Sequence, residues 1–153
     1  MGMDLSGFNP KSEKGDYFRN NCWWWRPLWN FVCDNCQDVI TEDDASGGHY
    51  NDGHLIDEKK CDVIVERLEG LLKDGSVKTF QDTRQKQLDK LPMEKCDVCD
   101  GSGVRNDKII QGECNGCGGT GKREPWAKSY PFDVDNVEEF VKFVKDSGGF
   151  QIF

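Results

Sequence analysis

The chain has 153 residues, a formal net charge of −8, and 36% apolar and 11% aromatic residues. That length supports one modest domain plus a small additional module, and the aromatic content argues against disorder. The acidic balance, with no strong basic cluster, opposes binding to nucleic acid or an anionic membrane surface.

No apolar run approaches the roughly 20 residues needed to span a bilayer. The opening MGMDLSGFNP lacks the basic-then-apolar pattern of a secretory signal. The eight cysteines therefore read as metal ligands or reduced thiols in a cytoplasmic setting, not as a disulfide framework. Gly2 and Ser6 match a myristoylation pattern that is too short to carry weight.

Residues 1–16 are polar and glycine-containing, and read as a flexible N-terminal arm. A tryptophan-rich helical body is expected over 17–92. Within it Trp25, Leu28, Trp29 and Val32 have helical spacing, with Pro27 placed in the first turn. Thr41 with the acidic residues after it marks another helix start, and Ser46 to Gly53 reads as a loop. The clearest helix runs from Glu58 to Lys73, capped by Asp57. Cys61, Ile64, Val65, Leu68, Leu71 and Leu72 line one face, and Ile56 is placed to staple Cys61. Asp74 and Gly75 end this helix, and a further one is expected over Gln81–Lys90.

A cysteine- and glycine-rich module is assigned to 93–124, with a hairpin over Val104–Ile110 turning at Asn106 and Asp107. Residues 125–153 read as a C-terminal helix and short strand packing on the body. Asp135 and Glu138 supply a capping pattern, Val137, Phe140, Val141 and Val144 an apolar stripe, and 150–153 the strand. The expected class is α+β: a mainly helical small body with an inserted, zinc-bound β-hairpin module.

The sharpest chemistry lies in two copies of C-x-x-C-x-G-x-G, CDVCDGSG from Cys96 and CNGCGGTG from Cys114. Cys96, Cys99, Cys114 and Cys117 supply four thiolates in two close pairs, which suits one tetrahedral zinc ion per chain. Gly101, Gly103, Gly119 and Gly121 let the backbone wrap the ion and aim N–H groups at sulfur. Four thiolates and one Zn²⁺ would take the net charge to about −10. Between Glu94 and Lys128 six basic residues face six acidic ones, so the module itself is nearly balanced.

Over Cys96 to Lys122 the chain resembles the cysteine-rich zinc domain of DnaJ-type co-chaperones. Those proteins carry four such repeats and two zinc ions, whereas this chain has two repeats, enough for one. His49 is followed by Tyr50 and His54 by Leu55, so no His-Pro-Asp tripeptide is present and the J-domain activity does not carry over. The resemblance implies a zinc-held arm offering a surface to another protein. Small bacterial regulators of the anti-TRAP kind are similar in this module and use it to inhibit a partner. The segments YFRNN, WWWRPLW, HYNDG and SGGFQIF resemble uncharacterised small proteins of bacteria and their phages.

Cys33 and Cys36 form a third C-x-x-C, a candidate second metal site with Cys22, His49, His54 or Cys61 to complete it. The spacing matches no established pattern, and Cys61 already fits a helix core. Three consecutive tryptophans cannot all face one core. Trp23, Trp24 and Trp25, with Arg19 and Arg26, are therefore candidates for a ligand or partner surface that stacks a base and holds a phosphate. The HYNDGH stretch is explained as a turn, and no catalytic constellation, phosphate-binding loop or GxGxxG motif is visible, so no enzyme is expected.

The first functional expectation is a zinc-binding adaptor or inhibitor, of phage-like character, acting by protein–protein contact. The alternative is a nucleotide-like small-molecule binding protein using segment 17–29, and a weaker one is a nucleic-acid-binding regulator. Exposed tryptophan would favour a homo-oligomer.

Overall fold

The computed structural model describes residues 2–153. It contains β1 (Gly2–Gly7), β2 (Tyr17–Asn21), α1 (Cys22–Asn35), α2 (Glu42–Gly47), β3 (His54–Ile56), α3 (Glu58–Lys73) and α4 (Ser76–Asp89). The short strands β4 (Glu94–Lys95), β5 (Val104–Asn106), β6 (Gln111–Glu113) and β7 (Lys122–Arg123) come next, then α5 (Val134–Ser147) and β8 (Phe150–Ile152). The class is α+β and mainly helical. Two compact units are present, one of residues 1–83 with 130–153 and one of residues 84–129. No helix among the described residues is long and apolar enough to cross a membrane.

The first unit is built on an antiparallel sheet of order β2-β1-β8-β3. Residues 2–7, expected within a flexible arm, are instead the inner strand β1, paired with β2 on one side and β8 on the other. The physical reason is a short period-2 pattern: Met3 and Leu5 are buried, while Asp4 between them faces outward. The ending 150–153, expected as a strand, is the second inner strand, with Phe150 and Ile152 fully buried. Neither β2 nor β3 is expected from the sequence, because each is short and closely precedes a stronger helix signal.

Helices α1, α3 and α5 pack with the inner face of this sheet around one aromatic core. Trp25 stacks on Trp29 with centroids 5.4 Å apart, and Phe140 meets Trp25 at 5.8 Å and Phe150 at 5.9 Å, both edge-on. Such pairs contribute about 0.5–1.5 kcal/mol each beyond the burial of their area. Asn21 caps α1 by accepting from Trp23 N and Trp24 N. Pro27 lies inside α1, not in its first turn. An interior proline costs about 3 kcal/mol, offset here by a helix face carrying Trp25, Leu28, Trp29 and Val32, all fully buried.

Helix α3 has the expected bounds, with Asp57 Oδ1 accepting from Lys60 N at 3.0 Å. Helix α4 begins at Ser76 instead of Gln81, because Asp74 Oδ1 accepts from Ser76 N at 2.8 Å and turns the chain straight into a new helix. Helix α5 is capped by Asp133, which accepts from Asn136 N at 2.8 Å, so the D-x-x-E pattern at Asp135 lies inside the helix.

One buried carboxylate links three elements. Asp44, in the capping box of α2, accepts from Thr41 N (2.9 Å), Thr41 Oγ1 (2.8 Å) and Lys60 Nζ of α3 (2.7 Å), and meets His54 Nε2 of β3 at 3.0 Å. Burial alone would raise its pKa. The donors, led by Lys60 and the Thr41 backbone, outweigh it and hold the carboxyl far below the usual range.

A group depressed in the folded state stabilises above its unfolded pKa of about 3.9 and loses that contribution as pH falls. Asp44→Asn should therefore cost about 3 kcal/mol in urea unfolding at neutral pH. The gap to the parent chain should shrink steadily below about pH 4, because the unfolded chain then takes up a proton at Asp44 that the native carboxylate still refuses. A constant gap from neutral to acid pH would show that Asp44 acts through packing alone.

Candidate metal centre

The second unit, 84–129, has a buried cluster made of cysteines: Cys96, Cys99 and Cys114, with Cys117 packed against them. Two equivalent turns bring the thiols together. Gly101 N donates to Cys96 O (2.9 Å) in one turn, and Gly119 N donates to Cys114 O (3.2 Å) in the other. Ser102 Oγ bridges Cys99 O and Val104 O at 2.8 and 2.9 Å, and Thr120 Oγ1 bridges Cys117 O and Lys122 O at the same two distances. The turns then lock reciprocally, with Cys96 N donating to Gly121 O and Cys114 N to Gly103 O, each at 2.9 Å. The sequence repeat is thus a local two-fold repeat of structure.

Gly103 and Gly121 are required by this close approach. A Cβ on Gly103 would lie 2.3 Å from Gly119 O, and one on Gly121 would lie 2.3 Å from Gly101 O. Both also hold positive φ, 76° and 72°. Their N–H groups donate to sulfur, Gly103 to Cys99 Sγ and Gly121 to Cys117 Sγ, each at 3.2 Å.

The four sulfurs lie within 4.8 Å of one another, with Cys96 to Cys114 at 4.0 Å and Cys99 to Cys117 at 3.7 Å. Four sulfurs bound to one ion at about 2.3 Å would stand roughly 3.8 Å apart, so the cage fits a single tetrahedrally coordinated metal ion. Burial raises the thiol of Cys99, but the Gly103 N–H and the neighbouring thiols overcome this and lower its pKa to about 6. Burial, reinforced by the Cys99 and Cys117 thiols and only partly offset by the Gly116 N–H, pushes Cys114 up to about 11. Four adjacent thiols cannot all ionise alone, and a divalent cation would supply the missing compensation.

Between the knuckles β5 and β6 form a hairpin, but its return strand lies at 111–113, beyond the expected 104–110, and its turn is closed over 107–110 instead of at Asn106 and Asp107. Asp107 Oδ1 accepts from both Ile109 N and Ile110 N at 2.8 Å, and Asp107 N donates to Ile110 O. Arg105 is ion-paired to Asp107 and donates to Asn115 Oδ1 at 2.9 Å, tying the hairpin to the second knuckle. Arg123 pairs with Asp97 at 2.8 Å and covers the Trp126 ring at 5.2 Å.

The other candidate residues are only partly assembled. Among the described residues no third metal-ligating side chain joins Cys33 and Cys36 in a cluster of this kind. Cys36 is fully buried, and burial pushes Cys33 up to about 12, so these thiols sit as neutral groups at the end of α1. Burial likewise pushes Cys61 up to about 12 in the α3 core.

Trp25, a candidate for a ligand surface, is withdrawn into the core, where its Nε1 donates to Gly48 O at 2.6 Å. Arg19 lies on the outer face of the sheet, opposite and 3.5 Å from Asp4. Trp23 and Trp24 are half-buried. Trp23 contacts Tyr130 with centroids 4.9 Å apart, and Arg26 Nη1 reaches Tyr130 Oη at 3.4 Å. Tyr130 is the member of this group that the sequence did not signal, being an isolated tyrosine far along the chain.

No protein-family model, curated protein or solved structure matches this chain.

Alanine at Gly103 or at Gly121 tests the geometry of the cage. Each should weaken metal binding at least about tenfold, since the new methyl must force the two turns apart. Competition against a coloured zinc chelator measures this, and Gly118→Ala, where a Cβ meets nothing within 4 Å, reports the cost of positive φ alone.

Proposed function

We propose that this chain is a zinc-binding adaptor or inhibitor that acts by protein–protein contact, and not an enzyme. One zinc per chain would be held by Cys96, Cys99, Cys114 and Cys117, in two knuckles of the DnaJ-like type. The observation that carries the reading is that these cysteines form the buried cluster of their unit. A segment with so little apolar core needs a cross-link to fold, and structural zinc supplies folding free energy directly. Bound there, the ion would act as a structural cross-link; the four thiolates would fill its coordination sphere and leave no open position for substrate.

What the cage supports is a surface. Ile109, at the hairpin turn, is 90% exposed, and Val98, Val104 and Met93 of the same unit are each 49% exposed. Apolar side chains presented on a short, metal-held scaffold favour a protein partner, since ordering costs little once the scaffold is rigid. The competing reading, a nucleotide-like ligand on the tryptophan segment, keeps Trp23 and Arg26 but loses Trp25 to the core and Arg19 to Asp4.

Native mass spectrometry of protein purified under reducing conditions should find one zinc per chain, absent from the Cys96→Ser, Cys99→Ser double variant. Chelation should collapse the amide dispersion of residues 94–123. A rigid spectrum for that segment without metal would refute the zinc assignment.

The contact surface has its own test. Ile109→Glu should leave zinc content and melting temperature unchanged while reducing capture of the physiological partner about tenfold or more. Undiminished capture by that variant would remove the hairpin tip from the interface.

A further inference from the structure

Strand β2 is one edge of the four-stranded sheet, and the hydrogen-bond phase of the sheet decides which of its backbone groups are used. Asp4 and Phe153 exchange both bonds, at 2.8 and 2.7 Å, and Phe8 N donates to Gly149 O at 2.7 Å. On the other side Gly7 N donates to Asp16 O at 2.9 Å. Antiparallel ladders alternate, so even-numbered residues of β1 bond toward β8 and odd-numbered ones toward β2. Leu5 lies opposite Phe18 and Met3 opposite Asn20, so Phe18 and Asn20 are the β2 residues that bond inward. The N–H and C=O groups of Tyr17 and Arg19 therefore point out of the sheet, away from β1.

Beside this edge lies a groove of about 400 Å³ between β2 and α5, lined by Lys14, Tyr17, Phe18, Glu139, Lys142 and Phe143. Phe18 stacked on Phe143 at 5.7 Å gives it an apolar wall. Lys142 is held by Glu139 at 2.6 Å, whereas Lys14 makes no ion pair among the described residues. Natural edge strands are commonly blocked by proline or inward-pointing charge. Here β2 contains no proline, and its one charged residue, Arg19, lies on the opposite face from Phe18.

We propose that the β2 edge docks an extended peptide segment of a partner protein, which joins the sheet as a fifth strand. A large apolar side chain of the guest, placed opposite Phe18, enters the groove, and an acidic side chain two residues away meets Lys14. Main-chain bonds to Tyr17 and Arg19 provide affinity, and the groove provides selectivity. The alternating outward donors and acceptors match a strand and not a compact ligand. A second copy of this chain, paired antiparallel about Phe18, would bring Asn20 and not a carboxylate opposite Asp16, and so offers Lys14 no anionic partner. This surface lies in the first unit, so its test is independent of the zinc reading.

The experiment is a selection from a displayed library of short random peptides on the full zinc-loaded chain, followed by hydrogen exchange with a recovered peptide. Enriched peptides should share a large apolar residue with an acidic residue two positions away, and their binding should slow exchange at the amides of Tyr17 and Arg19. Arg19→Pro removes an outward N–H that the sheet itself does not use. It should weaken peptide binding roughly tenfold or more, while Arg19→Ala, which keeps the N–H, should bind within about twofold of the native chain. The proposal is overturned if no such motif is enriched, if exchange at Tyr17 and Arg19 does not change, or if Arg19→Pro binds as well as Arg19→Ala. Concentration-dependent protection of the same amides without peptide would assign the edge to self-association and overturn it too.

Discussion

The body of this protein depends on how two large indoles are buried without stranding their polar atoms. Trp25 and Trp29 are fully buried on α1, and a buried indole N–H without a partner costs on the order of 1–3 kcal/mol. Both find carbonyls at the end of α2: Trp25 donates to Gly48 O and Trp29 to Ala45 O. That requirement places α2 against α1, although α2 is too short to be stable alone. Gly48 follows from the same packing, since a Cβ there would sit 2.1 Å from Trp29 Nε1. With α2 in place, Asp44 can reach β3 and α3 at once. An apolar core and a polar clasp are therefore one construction.

The 84–129 unit is organised by the opposite logic. Its centre is polar, made of thiols, and is held by backbone amides and by glycines that let two turns touch. Apolar side chains that would form a core elsewhere, such as Val98 and Ile109, lie on its surface. A chain that spends its cysteines on cohesion is left with hydrophobic residues free to face outward. This separates what holds the unit together from what it displays.

Legibility in the sequence followed the density of the signal. Helix α3 was the most legible element because cap, staple, apolar stripe and stop all agreed over Ile56 to Gly75. The cysteine cage was equally plain, because spacing and glycines repeat. The sheet was nearly invisible: β1 offers only Met3 and Leu5 as alternating apolar residues, and β3 is three residues long. Both strands exist because β8, at the far end of the chain, pairs with them, and no local pattern encodes such a distant partner. The tryptophan run showed that three neighbours must diverge, but not which would be withdrawn. That was decided by carbonyls offered by Ala45 and Gly48. Tyr130, which completes the surface at Trp23, carries no periodic or motif signal at all.

The cysteine cage is entered and left through neighbouring strands. β4 and β7 pair antiparallel, with Glu94 opposite Arg123 and Lys95 opposite Lys122. Paired strands stand only about 5 Å apart, so everything between them occupies the place of an ordinary tight turn. A closure of this kind needs only a hairpin at its base. It is also portable: the segment from Glu94 to Arg123 carries its own closure and can be excised behind a two-residue turn or grafted onto another hairpin. A fold assembled this way can exchange the residues between these two strands while its aromatic body keeps its own packing.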